Sequence, residues 1–468
     1  MLLGLVLVYV LSGTPFLGYD GDIMYRVSES LVLRHSFQIV DNYWQVNQPY
    51  SFYGLGTSLA FLPLVAAGEL LHQGKLLIGL LEPIVTALSV LVLYQVLRAL
   101  GVARRRSLVL ALAYGLGTLA WHYAIVVFGE PLVGLGMLLA LLTMLTYRRT
   151  GQARWVALSS AAVGLTVLTR WDSLLLIGLP LTVYAAVVVT RRASTLAAQA
   201  NAAIAWALPL TAALAVNLGY DWLRYGNPFS LGYAETPGFS TPILTGLIGL
   251  LFSPGAGLFV YTPALLLIPL GYARFFRTWA AEGVLIAVLV VGRLLFFARW
   301  WDFDGHSWGP RFLVPLLPLL LIPIAFIHFG AILRAIATVL ISAGVLIQVL
   351  GILVPYEGMA FGRVQEETLA RLHLQQVYPG CVMCSYRSVT AVSRVIDFDW
   401  HAAPLITQSQ MLLRGDIYPL WTRLTPALVA LFGGSGLLLM VVARRRPRLW
   451  APWLARADPP EEIERRIA

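Results

Sequence analysis

Two clusters in this sequence combine residue types that could perform chemistry. The first is Tyr19-Asp20-Gly21-Asp22-Ile23-Met24-Tyr25. Two carboxylates separated by one glycine suit either a general base or a cation site. The residues that follow, Tyr25-Arg26-Val27-Ser28-Glu29-Ser30-Leu31-Val32, read as a short amphipathic helix lying on a membrane. The acidic pair then falls at the helix N-terminus, where the dipole favours ionised carboxylates. A solvated loop that merely ends a helix would carry the same residues. The second cluster runs from Arg299 to Arg311, Arg-Trp-Trp-Asp-Phe-Asp-Gly-His-Ser-Trp-Gly-Pro-Arg. It packs Asp302, Asp304, His306, two arginines and three tryptophans into one turn. An arginine fork matches phosphate oxygens bidentately, and tryptophan faces suit sugar rings or isoprenoid chains. The simplest reading is a pocket for an anionic, partly apolar ligand; the competing one is an aromatic belt with snorkelling arginines. Glu130, and Arg170 with Asp172, are isolated ionisable groups expected on the same side.

The elements that must position these residues are membrane helices. The 468 residues are 59% hydrophobic and only 12% charged, about half the charged share of roughly 25% in a soluble domain. Apolar runs of ~20 residues, enough to cross a ~30 Å hydrocarbon core, recur along the chain. The net charge of +10 does not point to nucleic acid. Its arginines sit in short clusters at the ends of apolar runs (104–106, 148–149, 191–192, 274 with 277, 444–446), which is the signature of cytoplasmic loops. No cleavable signal is apparent, because the apolar residues 2–11 have no basic region before them.

Fixing the arginine clusters inside predicts an all-α, polytopic bundle of about twelve spans: 2–17, 76–100, 107–127, 131–147, 155–169, 173–190, 202–218, 261–274, 283–298, 312–329, 331–354 and 424–443. Residues 54–71 and 243–260 are apolar but rich in Gly and Pro, and read as juxtamembrane or re-entrant. The chain divides into a membrane core at 1–355, an outer loop segment at 356–421, a last span within 422–446 and a cytoplasmic tail at 447–468. Cys381 and Cys384 lie in the outer segment, where either a disulfide or a redox or metal Cys-x-x-Cys would fit.

The acidic pair after the first span, followed by a juxtamembrane helix, resembles the GT-C membrane glycosyltransferases. Within them it is similar to the dolichyl-phosphate-mannose mannosyltransferase and aminoarabinose transferase branch. Several stretches look like bacterial carrier-lipid-dependent members: residues 50–56 (Tyr-Ser-Phe-Tyr-Gly-Leu-Gly), 128–132 (Phe-Gly-Glu-Pro-Leu), 224–228 (Arg-Tyr-Gly-Asn-Pro) with Gly232-Tyr233, 251–255 (Leu-Phe-Ser-Pro-Gly) and 307–313 (Ser-Trp-Gly-Pro-Arg-Phe-Leu). The resemblance covers roughly residues 1–330.

That resemblance implies an enzyme of the inner (plasma) membrane with its site on the periplasmic or extracellular face. An acceptor hydroxyl on glycan, lipid or protein would attack the anomeric carbon of a polyprenyl-phosphate sugar, and the lipid phosphate would leave with inversion. Many relatives carry Asp-Glu where this chain has Asp20-Gly21-Asp22, so the catalytic acid is Asp20 or Asp22; Asp22 is favoured because it directly starts the expected helix. Arg311 first and His306 second would face the departing phosphate, supported by Arg170 and Arg299. Tyr25, Tyr53, Glu130, Asp172, Asp302, Asp304 and Trp308 would complete the pocket. No cofactor and no nucleic acid is expected. A metal bridging the carboxylates is disfavoured, although four aspartates are on hand.

Two other classes compete. A lipid-linked saccharide transporter or flippase would place ionisable groups near the bilayer midplane, and Glu82 and Arg293 fall within spans. An O-antigen ligase or polymerase would use a lipid diphosphate and a large outer loop bearing Arg and His, as 356–421 does with Arg363, Arg371, His373, Arg387 and Arg394.

Overall fold

A computed structural model describes residues 1–13, 17–40, 49–230, 236–371 and 386–417. Among them all regular structure is helical. The main helices are α1 (Leu2–Ser12), α2 (Gly18–Arg34), α3 (Leu55–Leu71), α4 (Leu81–Ala99), α5 (Arg104–Gly117), α6 (Glu130–Thr150), α7 (Ala153–Thr169) and α8 (Leu174–Arg192). They continue with α9 (Leu196–Tyr225), α10 (Ile243–Phe252), α11 (Ile268–Thr278), α12 (Ala280–Arg299), α13 (Ala331–Leu353), α14 (Phe361–Arg371), α15 (Tyr386–Phe398) and α16 (Pro404–Arg414). Residues Met1–Asp416 form one compact unit, so α14 to α16 pack on the preceding helices. The expected last span, the tail, and Cys381 with Cys384 lie outside the described residues.

Six helices, α4, α6, α8, α9, α12 and α13, are long and apolar enough to cross a membrane. The protein is therefore a multi-pass membrane protein. The expected number of about twelve is not reached among the described residues, for local reasons. The first helix is 11 residues long. The third expected span stops as a helix at Gly117 and gives way to a short turn at His122–Ala124. The span expected at 312–329 carries Pro315, Pro318 and Pro323, each of which removes a donor and clashes with the preceding turn, and it breaks into short helical pieces. The Gly/Pro-rich stretch 54–71 is by contrast one unbroken helix, α3, with Pro63 inside it. The stretch 243–260 breaks as expected, at Ser253-Pro254-Gly255.

Close approach between helices is obtained with small residues, as in membrane interfaces where backbone contact replaces hydrophobic burial. A side chain at Gly136 of α6 would collide with Thr166 of α7, and one at Gly164 of α7 with Ala213 of α9. The pairs α7–α9, α6–α7 and α4–α6 make the most extensive contacts.

The two ends of the helices differ in their polar contacts. At one end Arg148 pairs with Glu282, Arg149 donates to Ala99 O, Arg192 to Arg148 O and Arg106 to Ala325 O. At the other end lie the N-termini of α2 and α6, the α7–α8 turn and the C-terminus of α12. These carry the acids and arginines of interest.

Helix α2 is longer than its amphipathic pattern indicates. It begins at Gly18, so Asp20 lies in its first turn and Asp22 does not start it. It is fixed to α3 by reciprocal serines: Ser28 Oγ donates to Ser58 O at 2.6 Å and Ser58 Oγ to Met24 O at 2.9 Å. Ile23 and Val27 add an apolar cluster with Ile39, Leu55 and Tyr220. Two turns before Ser28, Gly21 lies against Val127, where an added Cβ would sit 2.7 Å from the valine Cβ and 3.1 Å from its carbonyl oxygen. Gly21→Ala should therefore destabilise the protein by about 1–3 kcal/mol, the usual cost of overpacking. Thermal unfolding in detergent measures it; an unchanged midpoint would mean that α2 does not rest on Val127.

Candidate active site

The end of the bundle opposite the arginine clusters is organised by a chain of charges of alternating sign. Arg311 Nη1 donates to Asp20 Oδ2 at 2.8 Å, and its Nε lies 3.9 Å from Glu130 Oε1. Arg170 Nη1 donates to the same Glu130 oxygen at 2.8 Å, and its Nε donates to Asp172 Oδ1 at 2.8 Å. Asp172 Oδ2 accepts from Arg293 Nη1 at 3.3 Å, while Arg293 Nε donates to Phe312 O. Asp20, Arg311, Glu130, Arg170, Asp172 and Arg293 thus run through five separate parts of the chain. Three acids and three arginines cancel. Such balance is needed here, because Glu130 and Arg293 are each 1% exposed and an unpaired buried charge costs several kcal/mol.

Aromatic rings fill the spaces between the guanidinium groups. Phe297 and Phe312 stack with centroids 4.3 Å apart and planes 8° from parallel. Arg293 lies over Phe297, Arg170 over both rings, and Arg311 over Phe312 and Phe128. Cation–π contact of this kind strengthens when water is excluded, and it fixes the arginine planes.

The turn before Arg311 folds back on itself through successive left-handed residues, Gly305 at φ 69° and His306 at φ 50°. The glycine is required twice over, since a Cβ there would also sit 2.8 Å from Arg311 Nε. Folding back brings His306 Nδ1 onto Asp302 and His306 Nε2 to 3.2 Å from Ser393 Oγ of α15. Burial would depress the imidazole, but Asp302 and Asp304 outweigh it and push His306 up to about 9. Burial, reinforced by Asp302, pushes Asp304 up to about 6. Burial would raise Asp302 too, yet its ion pair with His306 holds it below the usual range.

The expected site residues divide on this geometry. Asp20, Arg311, Glu130, Arg170 and Asp172 are brought into one network, and Tyr53 lies within electrostatic range of Arg311. His306, Asp302 and Asp304 form an adjoining cluster. Four expected residues are directed elsewhere. Asp22 turns along α2 to pair with Arg26 at 2.8 Å. Tyr25 points to Glu29, 2.8 Å away, with its ring edge against Phe61. Arg299 donates to Phe239 O at 2.8 Å and takes no part in the chain of charges. Trp308 is fully buried. Its Nε1 donates to Gln408 at 2.8 Å and its ring meets His122 and Tyr261, so it pegs the turn to the bundle and offers no face to a ligand.

Sequence reasoning named Arg293 only as support for a transporter and Arg224 only within a resembling stretch, and it missed Asp221, Glu357 and Asp397. Arg224 Nη1 donates to Ser51 O at 2.7 Å and Tyr53 O at 3.0 Å, while Asp221 binds Arg224 and accepts from Trp171 Nε1 at 2.7 Å. Glu357 pairs with His122 at 2.8 Å and accepts from Trp308 N at 3.3 Å. Burial alone would raise Glu357, but His122 and these hydrogen bonds hold it low. A signal existed for Arg293, an arginine inside an apolar run. None existed for Glu357 or Asp397, whose partners are distant in sequence.

Fold and site together define a multi-pass membrane protein whose described residues are helical throughout. No protein-family model and no curated protein matches the chain. Among solved structures it is similar to apo ArnT from Cupriavidus metallidurans, with a TM-score of 0.54 and 15% identity over 87% of this chain and 76% of that one. The same ArnT bound to undecaprenyl phosphate aligns with a TM-score of 0.49 and 15% identity over 88% and 76%. At this identity the likeness is one of fold.

Two measurements test the site. Glu130→Ala leaves Arg311 and Arg170 facing each other without the carboxylate between them, and should cost about 3–5 kcal/mol, as for other broken buried pairs; chemical or thermal unfolding in detergent reports it, and a loss under ~1 kcal/mol would dissolve the network. Because His306 is raised above the ordinary ~6.5, its ion pair contributes fully below that value and is lost as pH rises through about 9. In EDTA-containing buffer the unfolding midpoint should therefore fall between pH 7 and pH 9. The fall should be smaller in His306→Gln, and equal slopes in the two proteins would refute the assignment.

Proposed function

We propose that this protein is an inverting glycosyltransferase that moves a sugar from a polyprenyl-phosphate carrier to an acceptor hydroxyl on the outer face of the inner membrane. The observation that carries the reading is the 2.8 Å contact between Asp20 and Arg311, residues 291 positions apart that supply a base and a phosphate-binding cation at one point. The resemblance of residues 1–330 to carrier-lipid-dependent GT-C enzymes gives the donor class, and the ArnT-like fold is consistent with it. The position of the arginine clusters at the opposite helix ends supports the outer location.

In this reaction the acceptor oxygen attacks the anomeric carbon from the face opposite the phosphate. The bond between that carbon and the phosphate oxygen breaks, its electron pair departs with the lipid phosphate, and the acceptor proton passes to a carboxylate. Asp20 is better placed than Asp22 for that proton, because Asp22 is committed to Arg26. Arg311 stabilises the negative charge that grows on the leaving phosphate, an effect worth most in a dry, fixed environment. Phosphate at Arg311 competes with Asp20 for the guanidinium, so donor binding releases the carboxylate toward the acceptor. Glu130 and Arg170 hold Arg311 in place throughout. Arg293 has a structural partner in Asp172, which favours a structural role for it over a part in transport.

Asp20→Asn should reduce turnover of a polyprenyl-phosphate sugar by about 10²–10⁴-fold, the range for loss of a general base. Asp22→Asn loses only a partly exposed ion pair and should cost roughly tenfold at most. Release of free polyprenyl phosphate by purified protein, with a panel of donor sugars, makes the comparison. Full activity in Asp20→Asn would overturn the role given to that residue, and a larger loss in Asp22→Asn would reverse the assignment.

A further inference from the structure

The segment that leads from α12 to Arg311 begins at the last carbonyl groups of that helix. Thr241 satisfies two of them: its N donates to Arg299 O at 3.1 Å and its Oγ1 to Trp300 O at 2.7 Å. A hydroxyl has one proton to give, so with that proton on Trp300 O the threonine oxygen can only accept. Arg394 of α15 supplies the donor, through Nη2 at 3.0 Å. The same guanidinium lies over the Phe303 ring, 4.7 Å from its centroid. Arg394 thus holds both ends of the stretch 300–303, a capped helix exit at one and a ring that is 1% exposed at the other.

Helix α15 is itself firmly placed. Asp397 O accepts from Gly255 N at 3.0 Å, and a Cβ on that glycine would sit 2.4 Å from Ile396 O. Ser393 Oγ lies 3.2 Å from His306 Nε2, and Phe398 meets the edge of Phe303 with centroids 6.4 Å apart. Beyond Phe303 the chain turns at Gly305 and is pegged again at Trp308, by Gln408 of α16. Arg311 follows three residues later, so these two pegs set the direction in which it leaves the turn. An apolar side chain at 394 could cover Phe303 but would leave the Thr241 proton free to rotate away from Trp300 O. A lysine ammonium is a point charge, whereas the planar arginine fork donates and stacks at once.

We propose that Arg394 is a positioning residue for the transfer reaction, acting through residues 300–303 to set where Arg311 meets the carrier phosphate. It gives no atom to the chemistry, because its hydrogen bond goes to Thr241 and its face to Phe303. This role rests on the transferase reading; the clamp itself rests on the contacts of Arg394 alone.

The test uses the full-length protein in detergent, with a polyprenyl-phosphate sugar as donor. Arg394→Ala should lower kcat/KM for the donor by about 10- to 10²-fold, the scale of a group displaced by ~1 Å, and Thr241→Val should lower it in the same direction. A double-mutant cycle separates positioning from general weakening. In an Arg311→Gln background, removal of Arg394 should cost about twofold or less, whereas a loss that does not act through Arg311 multiplies with the first. Hydrogen exchange followed by mass spectrometry reads the clamp without any activity: amides of residues 299–311 should exchange about tenfold faster in Arg394→Ala, with α6 and α7 unchanged. Arg363→Gln, which loses an exposed pair with Asp416, should alter neither turnover nor exchange. If Arg394→Ala does not fold, as judged by gel filtration, Arg394→Lys and Thr241→Val carry the comparison. Unchanged exchange, or losses that multiply in the double variant, overturn the role of Arg394. No turnover by the unaltered protein overturns the transferase reading instead, and the exchange comparison still decides the clamp.

Discussion

Neutrality within a poorly hydrated space governs this end of the molecule. Asp20, Arg311, Glu130, Arg170, Asp172 and Arg293 alternate in sign, and each inner member answers to two neighbours. Charges this far from water are costly unless paired and hydrogen-bonded, so each member depends on its neighbours. The requirement reaches into parts of the chain that share no local pattern. It dictates that the α7–α8 turn carry acid and base two residues apart, that α6 begin with glutamate, and that a membrane helix hold an arginine two turns from its end. The phenylalanine stack between the guanidinium groups serves the same end by displacing water that would otherwise screen the pairs.

Backbone approach makes the pairing reachable. Gly21 lets α2 lie on Val127, and Gly305 lets its turn close on Arg311. The buried Trp308 then holds the same turn from behind, through Gln408 and Glu357. Residues 356–414 therefore act on the candidate site through the 302–311 turn, even though the acid and the arginine proposed for the chemistry both come from the first 330 residues. Arg224 does comparable work on the other flank, where it gathers the carbonyl groups of Ser51 and Tyr53.

Much of this is legible in the amino-acid sequence. The membrane class follows from apolar runs bounded by arginines, and the hairpin of α7 and α8 appears within two residues of its expected limits. Asp20, Glu130, Arg170, Asp172 and Arg311 are recognisable as ionisable residues at the ends of apolar runs. Two kinds of information are not legible. Periodicity does not show how prolines spaced three to five apart, as at 315, 318 and 323, divide an apolar run into short turns. Nor does it show direction: Arg299 and Arg311 have the same type and similar flanks, yet one turns to a loop carbonyl and the other into the network. The pattern also does not show which of Asp20 and Asp22 faces Arg311. The amphipathic pattern begins at Tyr25, whereas the helix itself starts at Gly18, and about two turns of extra helix place Asp22 one turn before Arg26 and in contact with it.

The direction of the helices distinguishes the arginine proposed to bind phosphate from its companions. Acids occupy the first turns of α2, α4 and α6, and arginines the last turns of α4, α6, α8 and α9. This is the arrangement that helix dipoles favour. Arg170 follows the C-terminus of α7, and Arg293 lies in the C-terminal half of α12, so both agree with it. Arg311 does not: it begins a helical turn, at Arg311–Leu316, and meets the positive end of its own backbone. A residue placed against local preference is held by its surroundings, and departures of this kind concentrate at functional positions. Asp20 and Glu130 offset the cost while no ligand is present. The leading N–H groups of that turn are themselves engaged, Arg311 N with Gly309 O at 3.0 Å and Leu313 N with Pro310 O at 2.9 Å, so it is the guanidinium alone that faces the acids. The phosphate role proposed for Arg311 therefore rests on its guanidinium and on the two acids that hold it, not on the backbone of its turn.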